Sequence, residues 1–293
     1  MAFTEGGTCG AYTLAAFGDE AGSSLGAQID ALSRNGIRFL EIRNVDGKSV
    51  GEMTPAEATE IRKRLADAGI SVRSVGSPFG KYDVEQDFGP HFDIFRAGLE
   101  TANALGAEYI RMFSFFVPAG NAGKYKDEVM RRLGLFAREA EGAGIVLCHE
   151  NEKGIYGDVP ERCAEIHREI PGIKAVFDPA NFVQCGVDTL KAWIILGPYV
   201  EYMHIKDAKY GGKVVPAGCG DGNVRELLRG FSSGMLTVEP HLTVFDGLAA
   251  LEKDGGSASV NNGVFATADE AFDCAVNSLK ALINEKAEEE VRK

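Results

Sequence analysis

The feature that most constrains this chain is a repeat of form: a helical segment, a glycine or polar break, then a short β-rich run. It recurs as Asn35-Gly36 before 37–42, Ala68-Gly69 before 70–75, Leu105-Gly106 before 109–113 and Ala143-Gly144 before 145–148. It returns as Pro171-Gly172 before 173–177, Gly197-Pro198 before 199–205 and Ser233-Gly234 before 235–238. With the apolar run 12–17, about eight strands alternate with helical segments, the number a closed barrel requires. Glycine at a helix end has a physical cause, since the left-handed cap is least costly there. The expectation is an α/β fold, a (β/α)8 TIM barrel formed as a single domain by residues 1–293.

Local signals agree. Thr54-Pro55-Ala56-Glu57 reads as an N-cap, a proline at the first helical position and an acidic first turn. An open doubly wound sheet would carry a glycine-rich phosphate loop after its first strand. Gly18-Asp19-Glu20-Ala21-Gly22 matches neither that pattern nor a P-loop. Residues 1–11 read as an N-terminal tail, 243–265 as a Gly/Ser/Asn-rich loop after the eighth strand, and 287–293 as a frayed charged end.

Composition narrows the function. A formal charge of −12 argues against a surface for nucleic acid or an anionic membrane, though a small phosphorylated substrate needs only one or two local cations. The six cysteines are scattered, without C-x-x-C spacing, and are expected to be buried thiols in a reducing compartment. The N-terminus has no basic region before its short apolar stretch, and no apolar run is long enough to span a bilayer. A cytoplasmic protein is expected.

The C-terminal ends of barrel strands converge on one site, so polar residues there are the ones to question. Runs 145–149, 175–177, 202–203 and 236–238 lead directly into Glu150, Asp178, His204 and Glu239. One strand-end acid is commonly a cap or an ion-pair partner. Four metal-capable residues on strands five to eight, all at the same end, are not accounted for by independent structural uses. Three carboxylates meeting in one barrel mouth would repel and take up protons, and a divalent cation removes that conflict. Three oxygen donors and one imidazole, with positions open, suit Mn²⁺, Mg²⁺, Co²⁺ or Fe²⁺ better than a structural zinc, with Mn²⁺ the leading expectation.

At these positions the sequence resembles a known family. His149-Glu150-Asn151, Phe177-Asp178-Pro179-Ala180-Asn181, His204-Ile205-Lys206-Asp207 and Glu239-Pro240-His241 are similar to the motifs of the xylose isomerase-like barrels. This is the sugar phosphate isomerase/epimerase group, which takes in ketose 3-epimerases, hydroxypyruvate isomerases, inosose dehydratases and, more distantly, endonuclease IV. The resemblance runs from about Tyr12 to Leu282 and implies proton transfer next to a carbonyl, through an enediolate stabilised by the metal. It implies that Glu150 and Glu239 take and return the proton as well as binding the metal, and that Asp178 and His204 act as ligands alone. Asp207 is one candidate partner for the ring nitrogen of His204 that does not face the metal.

Around these motifs the chain departs from the ketose 3-epimerases. Asn181 stands where they have a His, Tyr156 where they have an acid, and Tyr210 where they have an Arg. Lys81 and Lys206 are further candidates for substrate contact. Glu41, Arg43 and Arg111, at the ends of strands two and four, read as rim ion pairs as readily as substrate contacts. Phe113, Phe115, Phe116 and Trp193 read as core, and His149 and His241 as supporting residues beside ligands. The expected function is a metal-dependent isomerase or epimerase of a small sugar, keto-sugar or sugar phosphate. The alternative is a lyase or dehydratase acting on a keto-inositol or keto-sugar derivative. A homo-oligomer is compatible with such a barrel. A nuclease would need a histidine-rich cluster and a basic face, and this chain has five histidines and a strongly acidic balance.

Overall fold

The computed structural model describes residues 8–9, 11–245, 248, 260 and 264–292. Eight parallel strands form the centre: β1 (Tyr12–Ala16), β2 (Phe39–Ile42), β3 (Ser71–Gly76), β4 (Tyr109–Met112), β5 (Val146–Glu150), β6 (Ile173–Phe177), β7 (Val200–Ile205) and β8 (Gly234–Val238). Each pairs with the next, and β8 returns to β1 with Leu236 opposite Leu14, so the barrel is closed and has no edge. The (β/α)8 expectation therefore holds, and the single domain has one continuous apolar core between sheet and helices.

The helices are α1 (Leu25–Arg34), α2 (Pro55–Asp67), α3 (Phe88–Leu105), α4 (Ala122–Ala143), α5 (Pro160–Glu169), α6 (Pro179–Gln184), α7 (Thr189–Leu196), α8 (Val224–Gly230) and α9 (Ala268–Val291). Their ends follow from local chemistry. Thr54 and Glu57 form a reciprocal capping box at the start of α2, with Pro55 first in the helix. Gly106 and Gly144 close α3 and α4 at φ of 74° and 71°, conformations costly for any residue with a Cβ.

Two details at the chain ends differ from the sequence reading. Within the supposed N-terminal tail, Thr8–Cys9 pairs antiparallel with β1. The charged C-terminal end continues α9 to Val291 instead of fraying at 287. The loop expected at 243–265 lies largely outside the described residues. The thiols are also not uniformly buried: Cys148 and Cys163 are, Cys185 and Cys274 are intermediate, and Cys219 is exposed.

Strand alternation positions the site. Ala15, Tyr109, Cys148, Val176, Tyr202 and Met235 form a small cluster apart from the main core, one from each of six strands. Side chains two and four residues further along share that face. From Cys148 this step reaches Glu150; from Val176, Asp178; from Tyr202, His204; and from Met235, Thr237 and then Glu239. Alternation and closure thus bring the four candidate residues to one end of one interior.

Candidate metal centre

Ligand-capable atoms of Glu150, Asp178, His204 and Glu239 all lie within 4.8 Å of one another. Asp178 and His204 are fully buried, and Glu150 and Glu239 are 2% and 3% exposed. His204 Nδ1 is 3.2 Å from Glu150 Oε1 and 3.6 Å from Glu239 Oε2. Burial raises the Asp178 carboxyl to about 7; Lys206 opposes that rise, while Glu150 and Glu239 add to it. Burial alone would lower the His204 pKa, but the carboxylates of Glu150 and Glu41 outweigh it and hold the ring well above its usual value. Three acids crowded around an imidazole are the arrangement that a divalent cation relieves.

The donor set fits such an ion. Asp178 Oδ2 is buried and receives no hydrogen bond, although the Lys206 ammonium is 2.9 Å away. The same ammonium donates to Glu239 Oε2 at 2.8 Å. Arg111 Nε lies 3.1 Å from Glu150 Oε2, and Arg43 donates to Glu239 Oε1 at 3.3 Å. Each glutamate therefore has a fixed cation on one side, which limits the charge left for the metal to neutralise. Carboxylate oxygens with one imidazole are hard to borderline donors, consistent with a catalytic and not a closed structural site.

A second group, Glu20, Glu239 and His241, also has the spacing of a cation site. Its carboxylates are already engaged: Arg43 reaches Glu20 Oε1 at 3.1 Å and Glu239 Oε1 at 3.3 Å, with two further bonds to Asp19. The guanidinium thus already counters the charge of both glutamates of this group. Glu20, pushed up to about 8 by burial against the pull of Arg43, accepts the His241 backbone N–H at 2.6 Å and holds that residue at a φ of 44°.

Further hydrogen bonds fix the candidate ligands. Asn151 bonds both sides of the Asp178 backbone, donating to its carbonyl at 2.9 Å and accepting its N–H at 3.0 Å. Asp178 caps α6 by accepting the Asn181 N–H at 2.9 Å. Asp207 is not the partner of His204. Its carboxylate accepts backbone N–H groups of Ala208, Gly218, Gly220 and Gly222, so its lone pairs are spent on the loop before α8. His204 Nε2 instead faces Glu41, 3.3 Å from each carboxylate oxygen. The sequence signal for Glu41 is an acid inside an apolar strand, facing inward by alternation, and the sequence alone left it between a rim ion pair and a substrate contact.

A pocket opens on the cluster, lined by Lys81, Arg111, Phe113, Asn181, Lys206 and His241 among others. Of the five proposed substrate contacts, Lys81, Asn181 and Lys206 stand there. Lys81 pairs with Glu152 at 2.9 Å and lies over the Phe113 ring. Asn181 donates to Glu150 Oε1 at 3.1 Å. Tyr156 and Tyr210 are elsewhere: the buried Tyr156 hydroxyl bonds Glu165, and Tyr210 is 59% exposed beside Asp221. Their spacing along the chain suggested proximity, but neither lines the pocket on the cluster. Trp193 packs against Phe177 and Phe231 as core, whereas Phe113 is part of the pocket wall.

Residues 29–253 match the xylose isomerase-like TIM barrel family. The chain belongs to it. Among solved structures, this xylose isomerase-like barrel is similar to an L-ribulose 3-epimerase, at 16% identity over 95% of this chain and 96% of that one, with a TM-score of 0.72. The IolI protein with a bound zinc atom matches at 16% identity over 93% and 98% of the two chains, TM-score 0.70. A probable 3-DHS dehydratase, AsbF of Bacillus anthracis, matches at 13% identity over 92% and 98%, TM-score 0.67. These identities speak for the fold alone. No curated protein matches the sequence significantly. Among the described residues, no helix is long and apolar enough to cross a membrane.

Proposed function

We propose that this barrel is a divalent-metal-dependent isomerase or epimerase of a small sugar, keto-sugar or sugar phosphate. The observation that carries this reading is the buried convergence of Glu150, Asp178, His204 and Glu239 beneath a small polar pocket. A cation held by these four, Mn²⁺ on the donor chemistry, would supply Lewis acidity toward a carbonyl and its neighbouring hydroxyl. Glu150 and Glu239 are the general bases: one removes a proton from the carbon beside the carbonyl, and the other returns a proton to that carbon or its neighbour. Against the opposing effect of burial, Lys206 holds the Glu239 carboxyl well below its usual range, and the Arg111 guanidinium stands 3.1 Å from Glu150 Oε2. Lys206, and with it Lys81 and Asn181, are the side chains within reach of substrate oxygens.

The test uses substrate-derived protons in D2O. A panel of ketoses, aldoses and their phosphates is incubated with the Mn²⁺-loaded enzyme and followed by NMR. Exchange or isomerisation that requires metal is expected, and Glu150→Gln or Glu239→Gln should abolish it. Full exchange in either variant would sink the assigned roles.

One observation favours a second reading. The ammonium of Lys206 beside Glu239 provides an acid next to a base, which expulsion of a hydroxyl as water requires. A metal-dependent dehydratase of a keto-inositol or keto-sugar would then use the same proton abstraction. A product lighter by one water, seen by mass spectrometry, separates elimination from isomerisation.

A further inference from the structure

We propose that Glu41 is the positioning residue of the metal centre: its buried carboxylate selects the Nε2–H tautomer of His204, leaving the Nδ1 lone pair for the cation. This inference rests on reading Glu150, Asp178, His204 and Glu239 as metal ligands.

Glu41 comes from β2, opposite Ser74 of β3, and is fully buried one layer beneath the ligands. It is not among the side chains that line the pocket. Four side chains converge on its two oxygens. Thr237 Oγ1 donates to Oε2 at 2.8 Å, and Tyr202 OH donates to Oε1 at 3.0 Å. Ser74 Oγ donates to Oε1 at 3.2 Å, and His204 Nε2 lies 3.3 Å from both oxygens. An ionised carboxylate only accepts, so every group facing it must bring a proton.

For His204 this decides the ring. In a neutral imidazole one nitrogen carries the hydrogen and the other the lone pair. With the hydrogen on Nε2, the lone pair is on Nδ1, which faces Glu150 and Glu239 at 3.2 and 3.6 Å. The opposite tautomer would set the Nε2 lone pair against a carboxylate and put a hydrogen where the cation belongs. Phe17 packs edge-on against the ring at 5.2 Å, so a ring flip would have to displace a buried aromatic. Glu41 thereby fixes both the orientation and the tautomer of a ligand without touching the metal.

The experiment reads metal binding and tautomer instead of turnover. Metal-free protein is titrated with Mn²⁺ by calorimetry, and with Co²⁺ for its visible spectrum. Glu41→Gln keeps the shape but offers an amide that can donate to Nε2 and release the tautomer. Weaker Mn²⁺ binding by about 10–100-fold and shifted Co²⁺ bands are expected. Thr237→Val removes another donor to the same carboxylate, so its Mn²⁺ affinity should also fall, but by less than that of Glu41→Gln. In the Zn²⁺-loaded wild type, ¹⁵N shifts should show His204 protonated at Nε2, a readout that stands even if the variant does not fold. Protonation at Nδ1, or a folded Glu41→Gln with wild-type affinity and Co²⁺ spectrum, overturns the proposal. Failure of the wild type to bind any of these ions would overturn the ligand reading first, and this inference with it.

Discussion

The ammonium of Lys206 donates to Glu239 Oε2 at 2.8 Å while lying 2.9 Å from Asp178 Oδ2, between two of the four residues that would hold a metal. One lysine therefore serves both carboxylates, and it competes with any divalent ion for them. Replacing it separates its two effects. Lys206→Met is expected to bind Mn²⁺ as tightly as wild type or more so, because a competing cation is gone. Its kcat is expected to fall by roughly 10²–10³-fold, the loss typical of a general acid or an electrostatic contact. Calorimetry and steady-state kinetics check both. Weakened metal binding with unchanged kcat would show a lysine that serves the ligands alone.

Arg111 is 1% exposed; its Nε lies 3.1 Å from Glu150 Oε2 and its Nη1 donates to the Ser77 carbonyl at 2.8 Å. Arg111→Met would leave a buried carboxylate without its fixed partner, a loss of about 3–5 kcal/mol when nothing replaces it. A bound cation does replace it in part. Urea denaturation should show a large loss of stability for the metal-free variant and a smaller one with Mn²⁺. Equal losses in the two states would argue that Glu150 does not meet the metal.

His91, which is not in the candidate metal cluster, is expected to make the fold acid-sensitive. Its Nε2 accepts the Gly80 N–H at 2.9 Å, and its ring stacks on Tyr82 at 4.5 Å. Burial, with the nearby Arg132, lowers its pKa from 6.5 to about 4. The folded value lies below the unfolded one, so between these limits the unfolded chain binds the extra proton. Stability from this source is complete above pH 6.5 and is lost as the pH falls toward 4, by up to about 3 kcal/mol. The melting temperature of wild type should decline across that window. His91→Gln should be less stable at pH 7 and show a flatter profile; a parallel profile would place the acid sensitivity elsewhere.

Asp207 tests the separation between the ligands and the loop that follows them. It accepts four backbone N–H groups, those of Gly218, Gly220 and Gly222 among them. At Gly220 an added Cβ would lie 2.0 Å from Asp207 Oδ1, so loop and carboxylate fit closely. Asp207→Asn is expected to cost about 1.5–3 kcal/mol, as for hydrogen bonds to a charged group. It should speed amide exchange at those glycines and leave Mn²⁺ affinity unchanged. A large drop in affinity would restore Asp207 as a support of His204.

Most of the site was readable because a strand ending in an acid or histidine needs only its own apolar run to be noticed. Glu150, Asp178, His204 and Glu239 each follow such a run. Residues whose roles depend on another strand were not readable in the same way. Glu41 was visible as an acid in β2, but its partner is 163 positions away on β7. Asp207 illustrates the converse: adjacency to the His204 motif suggested a contact that the glycine-rich loop had already taken. Tyr156 and Tyr210 fall at suggestive spacings, but Tyr156 bonds Glu165 and Tyr210 stands exposed beside Asp221, both outside the pocket lining.

By itself the sequence determined the barrel, the strand count and the end at which the acids gather, because helix caps, apolar runs and period-two alternation are local properties. Only the tertiary structure decided which charges meet: that Arg43 joins Glu20 and Glu239, that Lys206 spans Asp178 and Glu239, and that Glu41 faces His204. Local chemistry dictates what each strand end can offer. Closure of the barrel, which joins β8 to β1, dictates which of those offers lie within hydrogen-bond reach of one another.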